Sequence, residues 1–393
     1  MAHGAGRDHF MTEVQTLAGK QIVVAVTGSI AAVEVVKLIH SLRRRGAVVQ
    51  PVMSHAAAGI IHPDALTYAS GRETITRLSG WVEHIQYCGD GGSADLLLVA
   101  PCTANSISKI ACGIDDTPVT TFATTAVGSK KPVIIVPAMH HSMYRHPAVI
   151  DNIAKLKTWG VEIVDPRIEE GKAKIADTEE IVLRCERAVL GKPLRGKKVL
   201  ITSGPCQEPV DDIRILTTRS GGQMGRALAL QAFRLGADVT VVHRDTVPCV
   251  NNVFVETADD MRSAVHRCLS KEGADIYISA AAISDFAPKR VPGKIPSGKP
   301  VNLELKPLKK LLTEVIQDYG PLTIAFKLGN KPEKMAKAMI THGVAMVLMN
   351  APGSMGSSRG EYVLLTKSQK KPLSGTKDEI SAAIWEAVIQ YIM

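Results

Sequence analysis

The chain begins a fold twice. The stretch Gly19-Lys20-Gln21-Ile22-Val23-Val24-Ala25-Val26-Thr27-Gly28 joins a basic turn, an apolar run and a small-residue turn. The same grammar returns at Gly196-Lys197-Lys198-Val199-Leu200-Ile201-Thr202-Ser203-Gly204. A short apolar run bounded by turn residues reads as a strand buried on both faces, and the turn behind it leads into a helix. That is how a doubly wound α/β domain opens. Two openings predict two such parallel-sheet, Rossmann-like domains with a seam near Gly191–Arg195. Residues 1–19 are then a flexible N-terminal arm or a tag, 20–190 the first domain and 191–393 the second. A chain of 393 residues is long enough for a core in each.

The pattern predicts strands over 21–27, 48–53, 94–101, 132–137 and 161–164 in the first domain, with a polar loop over 169–177 and a closing helix over 179–190. In the second it predicts strands over 198–203, 238–242, 275–282, 323–327, 345–349 and 361–365. A loop rich in Gly and Ser covers 214–225, and a long loop with four prolines covers 287–303. Loops of that size in compact domains are usually functional or disordered.

Composition removes several classes of function. The formal net charge of +9 is spread over the chain, which suits solubility or anionic small molecules. No nucleic-acid motif accompanies it, and aromatics at 4% leave little for base stacking, so nucleic acid is not an expected partner. Seven cysteines without a Cys-x-x-Cys predict reduced thiols, a cytoplasmic home and no zinc knuckle. No apolar run reaches membrane-spanning length, and residues 1–11 lack the apolar core of a secretory signal.

The candidate site residues cluster after strand ends. Gly28-Ser29-Ile30-Ala31 leads from a strand towards a helix N-terminus, which suits a phosphate or is a plain tight turn. Ser54, Thr103 and Asn105 also follow strand ends, where the tips of a parallel sheet converge on one crevice. His84 lies just before the third strand, as a structural or a catalytic histidine. Ser220-Gly221-Gly222-Gln223-Met224-Gly225 opens a helix with residues small enough for an anion to approach the backbone. Gly293-Lys294-Ile295-Pro296-Ser297-Gly298-Lys299-Pro300 only imitates a P-loop, because Pro300 stands where a Ser or Thr would hold magnesium.

Taken together these motifs carry a resemblance. Thr27-Gly28-Ser29-Ile30-Ala31, Glu83-His84-Ile85, Ala100-Pro101-Cys102-Thr103-Ala104-Asn105-Ser106 and Pro137-Ala138-Met139, with Met143-Tyr144, resemble the flavin-dependent cysteine decarboxylases. Ile201-Thr202-Ser203-Gly204-Pro205, Glu208-Pro209-Val210-Asp211, the Ser220–Gly225 run, Ala281-Ala282-Ile283-Ser284-Asp285-Phe286 and Gly293-Lys294-Ile295 resemble phosphopantothenate–cysteine ligases. The order of the two halves is similar to the bifunctional coenzyme A biosynthesis family, especially its archaeal form. The resemblance implies a flavodoxin-like first domain. It also implies two reactions. Cysteine is ligated to 4′-phosphopantothenate through an acyl nucleotidylate made from CTP, or ATP, with Mg2+. The product is then decarboxylated at FMN to 4′-phosphopantetheine. A homo-oligomer is implied as well. Rival readings are a chain with one active half, or a non-catalytic FMN-binding regulatory subunit.

Position by position, the resemblance places Gly28, Ser29 and Ile30 at the FMN phosphate, with Ser54, Thr103 and Asn105 in the same crevice. His84 is the active-site histidine, and Met139 and Met143 lie on the substrate side. In the ligase, Ser279, Ala280 and Ala281 mark the strand end at the nucleotide, Asp285 its acidic residue, Lys294 the essential cation and Phe326 the base-pocket aromatic. Four positions depart from the family pattern. His140 replaces an Asn after Pro-Ala-Met. Ile175 stands where bacterial members place a proton-donating Cys, which leaves Lys172, Lys174, Asp177 or water for that task. Thr218 replaces an Asn at the acyl intermediate. Ala338 and His342 replace two lysines near the triphosphate, with Lys334 and Lys337 as substitutes from the same helix.

Overall fold

The computed structural model describes residues 14–169, 172–351 and 357–393. Most of the expected N-terminal arm, and Glu170 and Gly171 of the expected polar loop, lie outside these residues. The chain divides into two compact units, Met1–Leu190 and Gly191–Met393.

The N-terminal unit is built on five parallel strands, in the order Val48–Met53, Gln21–Val26, Leu96–Cys102, Val133–Pro137 and Glu162–Ile163. Numbered along the chain this is the order 2-1-3-4-5 of flavodoxin-like sheets. Alternate residues feed two separate cores. Val24, Val26, Leu98, Ala100 and Ile134 face one layer of helices. Val23, Ala25, Leu97, Val99 and Ile135 face the other. Burial on both faces is why these strands read as unbroken apolar runs.

Two local expectations need correction. Gly28 does not lead straight into an α-helix: a 3-10 turn, Ile30–Glu34, comes first, and the helix Val35–Arg44 follows. Leu38, Ile39 and Leu42 are buried, whereas Val33 in the 3-10 turn is 49% exposed. The polar loop over 169–177 is in part a sheet. Arg167–Glu169, Lys172–Lys174 and Met139–His140 pair antiparallel, with Lys172–Lys174 in the middle. Its alternation of Lys172 and Lys174 around buried Ala173 is a strand signal, but too short and too charged to read as one.

The C-terminal unit carries an eight-stranded sheet. Six strands are parallel: Asn251–Phe254, Asp238–His243, Lys198–Thr202, Ile276–Ser279, Leu322–Leu328 and Met346–Asn350. In chain order they run 3-2-1-4-5-6, the Rossmann order. The expected parallel sheet then continues with two antiparallel strands at its edge, Arg359–Leu365 and Lys370–Thr376. The C-terminal helix Lys377–Ile392 returns against the helix Gln223–Arg234. Fully buried Trp385 donates Nε1–H to the Leu228 carbonyl at 2.9 Å, and Ser381 Oγ donates to the Ala227 carbonyl at 3.0 Å. The long loop over 287–303 is the arm of a ribbon: Phe286–Pro288 pairs with Leu305–Pro307. No helix among the described residues is long and apolar enough to cross a membrane.

Candidate active sites

In the N-terminal unit the strand order reverses between Gln21–Val26 and Leu96–Cys102, and ligands of open α/β sheets bind outside such a switch point. Thr27 ties the two strand ends together. Its Oγ1 donates to the Pro101 carbonyl at 2.9 Å and accepts from the Thr103 amide at 3.0 Å. Gly28 follows, and a Cβ there would meet the Ala56 Cβ at 2.6 Å, so the turn closes only around glycine. Ser29 precedes the 3-10 turn with no capping bond from its side chain. Ser54 and Thr103 are themselves caps: their hydroxyls accept from the Ala57 and Ser106 amides, each at 3.2 Å. Asn105 is exposed beside Thr103.

His84 stands on the short helix Glu83–Cys88. Its Nδ1 is buried and has no hydrogen-bond partner among the described residues, and its ring meets Phe122 edge-on with centroids 6.5 Å apart. The helix is held from two sides. Tyr87 OH donates to Gln50 Oε1 at 3.0 Å, and the Ser79 amide donates to Glu83 at 3.0 Å. The Ser79 hydroxyl donates to the same carboxylate at 2.5 Å, and it, followed by the amide, keeps the Glu83 carboxyl below the usual range.

A cavity of about 630 Å³ opens between the 3-10 turn and the small antiparallel sheet. Ser29, Ile30, Met139, His140, Lys174 and Ile175 line it. Gly28, Ser54, Thr103, Asn105, His84 and Met143 do not. His140 Nδ1 lies 2.9 Å from the Ser142 hydroxyl and 3.4 Å from the Ser142 amide, which it caps. Ile175 is buried and Lys174 pairs with Glu169 at 3.0 Å. Arg167 was not singled out by sequence, yet it fastens this small sheet. Its Nε donates to the Ile175 carbonyl at 3.2 Å and Nη1 lies 3.2 Å from Asp177. No local pattern marks it, because its partners lie on another strand and its loop.

In the C-terminal unit the switch point falls between Lys198–Thr202 and Ile276–Ser279. The helix Gln223–Arg234 points its N-terminus at this place, jammed against the first strand's end: a Cβ on Gly225 would lie 2.0 Å from Ser203 Oγ and 2.4 Å from its Cβ. One cavity of about 390 Å³ is lined by Thr218, Gly222, Ala280, Ala281, Asp285 and Phe326, among others. A second, of about 530 Å³, includes Ser279, Asp285, Lys310, Phe326, Lys327 and His342. Both share Ala281, Ile283, Asp285, Phe326 and Lys327, so they form one cleft. Thr218 Oγ1 donates to the Ala282 carbonyl at 3.3 Å, and Asp285 is paired with Lys310. Phe326 packs edge-on to Tyr362 at 6.1 Å, and Tyr362 OH accepts from Lys377 Nζ at 2.8 Å.

The cleft's cations differ from those expected. Lys334 and Lys337 do not line it; Lys337 pairs with Glu333 at 3.1 Å instead. The helix Glu333–Thr341 turns Met335, Ala338 and Met339 inward, and His342 follows with Nδ1 donating to the Ala338 carbonyl at 2.6 Å. Lys309, Lys310 and Lys327 line the cleft. Lys327, next to Phe326 on the strand Leu322–Leu328, was not singled out by sequence. Lys294 lines neither cavity and sits on the ribbon arm.

Residues 11–189 match the family model described as Flavoprotein, and residues 194–392 match that of the DNA/pantothenate metabolism flavoprotein C-terminal domain. The coenzyme A biosynthesis bifunctional protein CoaBC of Thermococcus kodakarensis is 44% identical, covering 96% of this chain and 97% of its own. The chain belongs to the bifunctional coenzyme A biosynthesis family. The Methanocaldococcus jannaschii member is 36% identical, covering 96% of this chain and 95% of its own. A crystal structure of the C-terminal domain of a CoaBC protein aligns with a TM-score of 0.44 at 27% identity, over 51% of this chain and 98% of that one. As a member of this family the chain is a bifunctional enzyme, decarboxylase in its flavoprotein half and ligase in its C-terminal half.

Proposed function

We propose that the C-terminal half condenses cysteine with 4′-phosphopantothenate through an acyl nucleotidylate, with CTP preferred over ATP, and that the N-terminal half decarboxylates the product at FMN. The observation that carries this reading is the near-complete match to a bifunctional relative, with a switch point in the sheet of each unit and a cleft beside that of the C-terminal unit. FMN fits the first unit's own features: the Gly28 turn that a Cβ would block, the uncapped Ser29 hydroxyl and the orphaned His84 Nδ1. Gly28, Ser29 and Ile30 would hold its phosphate, with Ser54, Thr103 and Asn105 shaping the crevice. Bound FMN supplies a two-electron acceptor for the thiol end of the substrate.

The protein's residues then orient and exchange protons. His84, fixed by its helix, would meet the substrate carboxylate and move its proton. His140 donates in place of an amide, Met139 and Met143 give an apolar wall, and Lys174 offers a cation beside Ile175. In the ligase, Ser279, Ala280 and Ala281 present the strand end to the nucleotide, Phe326 packs on its base, and Asp285 and His342 flank it. Lys294, Lys310 and Lys327 would spread the phosphate charge, and Thr218 would donate to the acyl intermediate. Among the described residues no group of three or more His, Cys, Asp or Glu can hold a metal ion. We therefore assign Mg2+ no protein cage: it would arrive on the triphosphate, as this cation commonly does. A homo-oligomer and a cytoplasmic home complete the reading.

Product mass spectrometry tests it. The purified chain is incubated with FMN, magnesium, cysteine and 4′-phosphopantothenate, with CTP, ATP or neither. Nucleotide-dependent 4′-phosphopantetheine is expected, fastest with CTP. Accumulated 4′-phosphopantothenoylcysteine would sink the decarboxylase assignment, and no ligation with either nucleotide would sink the ligase.

A further inference from the structure

Lys294 rides on residues 289–304, a stretch with no regular element between the ribbon strands Phe286–Pro288 and Leu305–Pro307. A lysine on such an arm ordinarily samples many positions. Here the arm is bound to Val210–Arg214. The Val291 amide donates to the Val210 carbonyl at 2.9 Å. Gly293 and Asp212 exchange two bonds: the Gly293 amide donates to Asp212 Oδ2 at 3.0 Å, and the Asp212 amide donates to the Gly293 carbonyl at 3.1 Å. Arg290 pairs with the same carboxylate at 2.9 Å. The Ile295 amide donates to Asp211 Oδ2 at 3.0 Å. Lys294 is thus bracketed by two bonded neighbours.

The two aspartates are not equivalent. The Asp212 side chain is half exposed, whereas that of Asp211 is fully buried. Asp211 Oδ1 accepts from the Ile213 and Arg214 amides at 2.8 and 2.6 Å, and Oδ2 accepts from the Arg214 guanidinium as well as from Ile295. A buried carboxylate is costly unless its lone pairs are all used, and these are. The Ile295 amide is the largest cause of a carboxyl held far below its usual range. The charge therefore belongs to the folded arm and not to solvent.

We propose that Asp211 is a positioning residue of the ligase: its buried carboxylate clamps the Ile295 amide and so holds Lys294 ready for the nucleotide phosphates. This rests on the reading of Lys294 as a phosphate cation. Asp211→Asn keeps the shape but turns one acceptor oxygen into a donor that repels the Ile295 amide or the Arg214 guanidinium. Ile295→Pro removes the same bond from the other side and leaves Asp211 intact.

The test uses the full chain and two readouts. Brief trypsin digestion, followed by mass spectrometry, measures cleavage after Lys294 in the wild type, Asp211→Asn and Asp212→Asn. Loosening of roughly tenfold is expected in Asp211→Asn and less in Asp212→Asn, since cleavage follows the population of the open arm. Ligase kinetics of Asp211→Asn and Ile295→Pro should both show kcat down by about a hundredfold with the phosphopantothenate KM within about twofold. Decarboxylation of added 4′-phosphopantothenoylcysteine by the same samples reports that the chain is folded. Unchanged cleavage in a folded Asp211→Asn chain overturns the proposal. So does full ligase turnover in both variants. Lys294→Met separates the two readings: if it also ligates normally, the phosphate role of Lys294 has failed, and if it is dead beside an active Asp211→Asn, only the clamp has failed.

Discussion

The two units place their working groups by different means. In the N-terminal unit the candidate groups stand within a residue or two of strand and helix ends, and short bonds such as Thr27 to Pro101 fix them to the sheet. In the C-terminal unit the strand ends supply backbone and a glycine-rich turn, while Lys294, the proposed phosphate cation, sits on an arm fastened by carboxylates far away in sequence. One design takes its precision from the sheet, the other from side-chain hydrogen bonds. The second is easier to disturb, because a few bonds hold a whole arm.

The largest expected effect breaks the comparison cleanly in two. His84→Asn should lower decarboxylation by about a hundredfold or more and leave ligation intact, while Lys294→Met should do the reverse. Separate assays with 4′-phosphopantothenate and with 4′-phosphopantothenoylcysteine measure it. A variant that silences both halves would show that the sites are not independent.

Next come the glycines at the two switch points. Gly225→Ala places a methyl on the Ser203 side chain, which is rooted in a strand end, and should cost about 1–3 kcal/mol of stability. Gly28→Ala meets only the Ala56 methyl and the start of a short helix, so its cost should lie at the lower end of that range. Urea unfolding of both variants checks the order; equal losses would contradict the difference in packing.

Acid should separate the units more gently. Burial, partly offset by the Asn252 contact, lowers the proton affinity of His243 at the end of a C-terminal strand. With the folded pKa below the unfolded value of about 6.5, the unfolded chain binds more protons, so stability falls as pH drops below that value and levels off beneath the folded pKa. Asp211 also has a lowered folded pKa, so its contribution is present above the ordinary carboxyl range and fades only in stronger acid. Denaturant midpoints at pH 7.5 and 5.5 should shift in the wild type and much less in a His243→Phe chain.

The smallest effect is chemical. Burial pushes the Cys88 and Cys206 thiols up to about 12, one in each unit, while Cys112 is exposed. A thiol reagent should label Cys112 first in the folded chain and reach the two buried thiols only on unfolding, as peptide mapping would reveal.

The fold was legible where periodicity spans a whole element. Doubly buried strands such as Gln21–Val26 and Lys198–Thr202 are readable because both faces are apolar. The strand Lys172–Lys174 was not, because three residues with charges on alternate positions look the same as a loop. The hairpin of Arg359–Leu365 and Lys370–Thr376 was half visible, since Lys370 and Lys371 mask an edge strand. Among site residues, Ser29, Ile30, Met139, His140 and Lys174 meet at one cavity, and Ser279, Ala280, Ala281, Asp285, Phe326, Thr218 and His342 at one cleft.

By itself the sequence determined two parallel-sheet units and the turns after their strands, because these follow from short-range pattern and backbone sterics. Only the tertiary structure decided that Arg167 fastens the small sheet, that Lys310 and Lys327 and not Lys334 or Lys337 line the cleft, and that Asp211 clamps the arm of Lys294. Each of those is a contact between residues on different elements, and hydrogen bonds across such distances leave no local period to read.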